Sequence, residues 1–112
     1  SIVFRLGADS YAMVLVAGRG QVAWPALRAF LGQSRLTTAT EEELLAVTGY
    51  ERGAVAPFGL PAPMRVLLDR SVLSHEEISM GSGVRGTAVI LRTADLLAAL
   101  GDVEMGDFAK PA

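Results

Sequence analysis

The sequence predicts an α+β domain: a mixed, mostly antiparallel, barrel-like sheet of about six strands with about three packed helices. Three observations carry this. Short β-branched and apolar runs recur along the chain, as in IVFRL at its start and TAVILR near its end. Three segments have helical spacing with cap residues at their ends. Strands and helices follow one another in non-alternating order, which argues against a doubly wound parallel sheet. With 112 residues, 51% of them hydrophobic, the chain is one globular domain over 1–112 with room for a core.

The elements follow in order. Ile2–Leu6 and Tyr11–Ala17 read as an antiparallel hairpin around the turn Gly7–Ser10. The second strand is apolar enough to be buried on both faces, and Gly18-Arg19-Gly20 ends it. Trp24–Leu31 has helical spacing, with Trp24, Leu27, Phe30 and Leu31 on one face. Pro25 suits its first turn and Gly32 the position past its end. Arg35–Thr38 reads as a short strand. Thr40 and Glu43 have the spacing of a capping box, opening a helix that Thr48-Gly49 ends.

Pro61 and Pro63 mark an extended connection into the strand Met64–Asp69. Ser71–His75 is a turn or a single helical turn. Glu77–Met80 and Thr87–Arg92 are strands. Thr93 is expected to cap a last helix, Ala94–Leu100, which Gly101 closes. The tail from Asp102 to Ala112 is mixed in character and is expected to fray.

Composition excludes several functions. With no cysteine, disulfides, thiolate catalysis and cysteine-ligated zinc are out, and the chain suits a reducing cytoplasm. Nine arginines and a single lysine, Lys110, leave a net charge of −2. That is no basic footprint for gripping a duplex or a membrane surface. No apolar run reaches membrane-spanning length and no leader peptide is visible. No metal or cofactor is implied. His75, the one histidine, reads as a solvated turn residue, because a metal or a proton relay needs partners nearby. Glu41, Glu42 and Glu43 are consecutive, so they splay around a first turn rather than converge as a catalytic pair. Trp24 and Phe30 read as core.

Two glycine-rich loops remain. Thr48–Leu60, TGYERGAVAPFGL, holds three glycines and one proline. Gly81–Gly86, GSGVRG, spells the dinucleotide-binding fingerprint, but a strand follows it where that reading requires a helix. Neither loop is explained by core packing. Both would bring bare main chain to one place, as suits a ligand that touches the backbone closely. The plainer reading of Gly81–Gly86 is a strand connection with a bulge. Its functional reading is an amide nest with Arg85 facing an anion. Tyr50 reads equally as a pocket residue or as a loop anchor.

Thr48-Gly49-Tyr50, Gly53-x-x-x-Pro57-Phe58-Gly59 and Gly81-x-Gly83-x-Arg85-Gly86, in this order and spacing, resemble the YbaK/ProX family. Its members are aminoacyl-tRNA deacylases related to the editing domain inserted in bacterial prolyl-tRNA synthetases. The resemblance covers nearly the whole chain. It implies a trans-editing hydrolase acting on the ester of a mischarged tRNA, such as cysteinyl- or alanyl-tRNA(Pro). Its partners would be the aminoacyl-tRNA 3′ end and an aminoacyl-tRNA synthetase. It assigns Gly53, Ala54, Val55, Ala56 and Pro57 to the aminoacyl pocket, with Phe58, Gly59 and Tyr50 beside them. It puts Gly81, Ser82, Gly83, Arg85 and Gly86 near the terminal nucleotide. The family's functional lysine is expected just ahead of Ser1, together with a helical N-terminal segment that this chain lacks. Cysteinyl-specific members carry an aspartate where Ala88 stands, so the resemblance leaves the amino acid open. The alternative is a non-catalytic relative that binds an aminoacyl-nucleotide or a similar small ligand.

Overall fold

The computed structural model describes residues 1–7, 10–17 and 22–109. The glycines expected to end the second strand, Gly18 and Gly20, and Lys110 lie outside the described residues. Among the described residues there are seven strands and three α-helices. They run β1 (Ile2–Arg5), β2 (Tyr11–Leu15), α1 (Trp24–Leu31), β3 (Thr37–Thr38), α2 (Glu41–Thr48), β4 (Arg65–Asp69), β5 (Glu77–Gly81), β6 (Ala88–Arg92), α3 (Thr93–Leu100) and β7 (Glu104–Gly106).

Five strands form one open sheet in the order β3-β1-β2-β4-β7, and β5 with β6 forms a separate two-stranded sheet. The α+β class stands, but the sheet does not close as a barrel. β1 pairs antiparallel with β2 and β3, while β4 pairs parallel with both β2 and β7. The parallel pairs explain why Met13, Val14, Leu67 and Leu68 are all fully buried. Both faces of the middle of this sheet are covered, so alternation gives way to continuous apolar runs.

Two apolar clusters cover the two faces. One joins Phe4, Val14, Leu27, Leu31, Leu67 and Phe108 under α1. The other joins Val3, Met13, Leu15, Leu44, Leu68 and Leu96 under α2 and α3. Trp24 sits edge-on to Phe4, with ring centroids 5.1 Å apart. Phe30, expected in the core with Trp24, is half exposed and instead lies edge-on to Phe108 at 4.8 Å. Gly32 ends α1 at φ +67°. The Thr40–Glu43 capping box forms as expected, with Glu43 N–H on the Thr40 hydroxyl and Glu43 carboxylate on the Thr40 amide. Glu43 also accepts from Tyr11, which ties α2 to the sheet. These hydrogen bonds, led by the Thr40 amide, hold its carboxyl below the ordinary glutamate range.

Two expectations fail at the C-terminal end. Thr93 does not cap α3; Arg92 is the cap position and makes no side-chain cap bond. The Thr93 hydroxyl donates to the His75 carbonyl and its amide donates to Glu76 at 2.8 Å, locking α3 onto the turn before β5. Nor does the described part of the tail fray. Asp69, buried at the end of β4, accepts from the amides of Phe108 at 2.5 Å and Ala109 at 2.9 Å. Phe108 is 1% exposed. A buried carboxylate needs such donors, and they are supplied by the tail.

Candidate functional site

Thr48 begins the first loop by turning the chain out of α2. Its buried hydroxyl donates to the Leu44 carbonyl at 2.6 Å and accepts the Tyr50 amide at 3.0 Å. Gly49 follows at φ +77°, its amide capping the helix on Leu45. The Tyr50 hydroxyl then donates to the Phe58 carbonyl and closes the loop on itself. Its ring also fills the space where a side chain on Gly83 would stand, 3.1 Å from that position. Tyr50 is thus an anchor that joins both glycine-rich loops.

Within the closed loop, Ala54, Val55, Ala56 and Pro57 are buried. Val55 belongs to the core cluster with Val3, Ala39 and Leu44. This corrects the expectation that the loop has no packing role. Small apolar side chains at 54–57 let the backbone sink between α2 and the β5–β6 sheet. Gly53 alone in this run is exposed, at φ +86°, and a Cβ there would meet nothing within 4 Å. It opens onto a cavity of about 320 Å³ walled by Ile2, Val3, Ala39, Leu44, Arg52 and Val55.

The second loop lies against the first. Gly81 is the last residue of β5, and a Cβ on it would strike the Val55 carbonyl oxygen and lie 2.6 Å from the Val55 nitrogen. The Gly83 amide donates to the Ala54 carbonyl at 2.9 Å. Gly83 and Gly86 both have positive φ, +90° and +82°. The Ser82 hydroxyl is engaged within the turn, 2.6 Å from the Thr87 hydroxyl. Arg85 is exposed, with Nε 3.9 Å from Glu51 Oε2. No carboxylate neighbours Arg85 in sequence, but folding brings one.

The predicted loops are therefore side by side. Their shared concavity, about 500 Å³, is walled by Glu41, Glu42, Leu45, Glu51, Arg52 and Arg85. Its walls are charged side chains rather than the glycines. The bare backbone is spent mostly on loop-to-loop contact.

Sequence reasoning missed two features. The walls of the Gly53 cavity from β1 and from Ala39 carry no signal beyond apolar burial. A second cavity of about 480 Å³ lies between the end of β2 and β5, bordered by Leu15, Ala17, His75, Ser79 and Met80. Ser1 borders both this cavity and the Gly53 cavity. A further concavity, about 560 Å³, is an open groove between the Pro57–Val66 connection and the α3–β7 segment. It shares only Pro57 and Phe58 with the predicted site and presents the exposed Arg65–Glu104 ion pair. Among the described residues no three His, Asp or Glu side chains converge as a metal site. No helix among them is long and apolar enough to cross a membrane.

The chain as a whole is similar to known proteins. A family model described as an aminoacyl-tRNA editing domain matches residues 1–99. The multifunctional Ser/Thr-tRNA deacylase ProXp-y of Escherichia coli strain K12 is 27% identical over 92 residues, 81% of this chain and 55% of that protein. A proline–tRNA ligase of Streptococcus uberis is 38% identical over 74 residues, 66% of this chain and 12% of the ligase. Among solved structures, a candidate trans-editing enzyme for prolyl-tRNA synthetase superposes with a TM-score of 0.85 at 27% identity. That match covers 98% of this chain and 68% of the other. The chain spans about half the length of the deacylase it matches. By sequence and by fold, the chain belongs to the aminoacyl-tRNA editing domain family.

Proposed function

We propose that this domain hydrolyses the ester linking a mischarged amino acid to the 3′ end of a tRNA. The observation that carries the reading is the Gly53 cavity: bare backbone at positive φ beside an apolar space of about 320 Å³. Such a space suits a small aminoacyl group, and cysteinyl- or alanyl-tRNA(Pro) are the substrates proposed. The relatives, a Ser/Thr-tRNA deacylase and proline–tRNA ligases, support an aminoacyl-tRNA as the substrate class. The 3′ end of the tRNA and an aminoacyl-tRNA synthetase are the proposed partners, and the cytoplasm is the proposed compartment.

In the reaction, water adds to the ester carbonyl carbon. The bond to the ribose oxygen then breaks, that oxygen takes a proton, and free amino acid and uncharged tRNA result. Gly53, Ala54, Val55, Ala56 and Pro57, with Phe58, Gly59 and Tyr50 beside them, are proposed to fix the aminoacyl group. Gly81, Ser82, Gly83, Arg85 and Gly86 are proposed to sit nearer the terminal nucleotide. With few acid–base groups at hand, rate comes from positioning and from donors aimed at the carbonyl. The resemblance also puts a lysine just ahead of Ser1. The test is release of labelled amino acid from a panel of mischarged tRNAs by the full-length protein. Release above the spontaneous rate supports the reading; binding without release would favour a non-catalytic relative.

A further inference from the structure

The first loop turns at Glu51–Ala54, where the Ala54 amide donates to the Glu51 carbonyl at 3.0 Å. Gly53 holds the third position of this turn at φ +86°, which glycine adopts without strain. Arg52 holds the second position and so stands at the corner. It walls two spaces, the Gly53 cavity of about 320 Å³ and the charged concavity of about 500 Å³. Among the described residues it is the one that borders both, and around the Gly53 cavity it carries the one charged side chain. The concavity continues from Arg52 to Arg85 on the second loop. Arg52 is loosely held: its Nε lies 3.8 Å from Glu41 Oε1, and both side chains are mostly exposed. An ion pair that long and that wet contributes little, and it exchanges readily for a better acceptor. Glu42 and Glu51 also face the concavity, so three carboxylates stand against two guanidinium groups. Charge alone therefore draws no free polyanion in. An anion gains there only if something else holds it beside an arginine.

We propose that Arg52 binds the 5′-phosphate of the nucleotide that carries the amino acid. This rests on the deacylase reading. The aminoacyl group in the Gly53 cavity supplies the anchor, and the nearest phosphate of the tRNA is one ribose away from the ester. A planar guanidinium meets a phosphate with two parallel N–H donors, a closer and stronger contact than the one it makes with Glu41. Arg52 is then a positioning residue that holds the terminal nucleotide at the mouth of the cavity. Arg85, which borders the concavity and not the cavity, meets the strand farther from the ester. Glu41 takes the guanidinium back when the tRNA leaves.

The test uses the full-length protein and two stable probes, a 3′-deoxy-3′-(aminoacylamino)adenosine with and without a 5′-phosphate. Both carry whichever amino acid the protein releases fastest from a panel of mischarged tRNAs. Titrated at one ionic strength, the phosphorylated probe is expected to bind roughly tenfold more tightly. Arg52→Ala is expected to erase that preference, so that the two probes bind alike. Glu41→Gln, which leaves Arg52 in place and frees it, is expected to widen the preference. A difference between two probes on one folded protein is not something a general loss of structure produces. Equal binding of the two probes by the unmodified protein would overturn the proposal. So would a preference that survives in Arg52→Ala, or one lost in Arg85→Ala alone. In each of those cases the aminoacyl group is still bound and released, and the deacylase reading survives. If the unmodified protein releases no amino acid from any tRNA, the deacylase reading fails and the proposal falls with it.

Discussion

The Gly83 amide donates to the Ala54 carbonyl, 2.9 Å away and across 29 positions of sequence (83 − 54). This bond joins the two glycine-rich loops and makes one unit of them. A substitution in either loop should therefore be felt in both, and the first predictions follow from that.

Gly53→Val is expected to abolish deacylation while leaving the fold largely intact. The residue is exposed and its Cβ would meet no neighbour, so no core contact is lost. A β-branched side chain at φ +86° strains the backbone by about 1–2 kcal/mol and projects into the space beside the cavity. Thermal unfolding and amino-acid release, measured on the same preparation, check this. Normal release from a folded variant would remove Gly53 from the site.

Arg85→Ala and Glu51→Gln are expected to act in opposite directions on tRNA binding. Both partners are mostly exposed and 3.9 Å apart, so the pair adds little to stability. Losing the arginine should weaken binding and reduce the salt slope by about one charge. Neutralising Glu51 frees the guanidinium and should strengthen binding. Affinity titrated across ionic strength reads both. Unchanged slopes in the two variants would make Arg85 a bystander.

How much of this the sequence revealed depended on whether the cause was local. The capping box at Thr40 and Glu43 and the glycine ends of α1 and α2 were legible, because a few adjacent residues decide them. The juxtaposition of the two loops was also legible, through the family motif. What was not legible depended on distant partners. Asp69 looks like a strand-end acid until Phe108 and Ala109 are brought beside it. The tail was for that reason read as frayed. Thr93 has the signature of a cap, yet the His75 carbonyl takes its hydroxyl. Ala54 to Pro57 looked like exposed ligand backbone, because small residues carry no mark of whether they line a cavity or plug a core. Arg85 looked unopposed because Glu51 lies far off in sequence.

Asp69→Asn should loosen the C-terminal segment. It removes a charged acceptor from the buried Phe108 amide and the part-buried Ala109 amide, at a cost of about 2 kcal/mol. Phe108→Ala should cost more, about 3–5 kcal/mol, since that ring is fully buried and packs on Phe30. Denaturant titration measures both. If neither variant loses stability, the tail is not part of the cooperative fold.

The same aspartate predicts an acid limit to stability. Burial works to raise its pKa but is outweighed by hydrogen bonds from Ser71, Phe108 and Ala109, so the net direction is down. A folded-state pKa below the unfolded one gives stability that is complete above the ordinary aspartate range. That stability is lost as pH falls through the depressed folded value. Unfolding free energy followed downward from neutral pH should show a fall at acid pH that Asp69→Asn reduces. An identical acid profile in the variant would place the sensitivity elsewhere.

The most direct test of the whole account is amino-acid release by the full-length protein from a panel of mischarged tRNAs, run beside its Gly53→Val variant. The account predicts release well above the spontaneous rate for at least one small aminoacyl group, and none above it for the variant. Equal release by the two proteins, or release by neither, would contradict it.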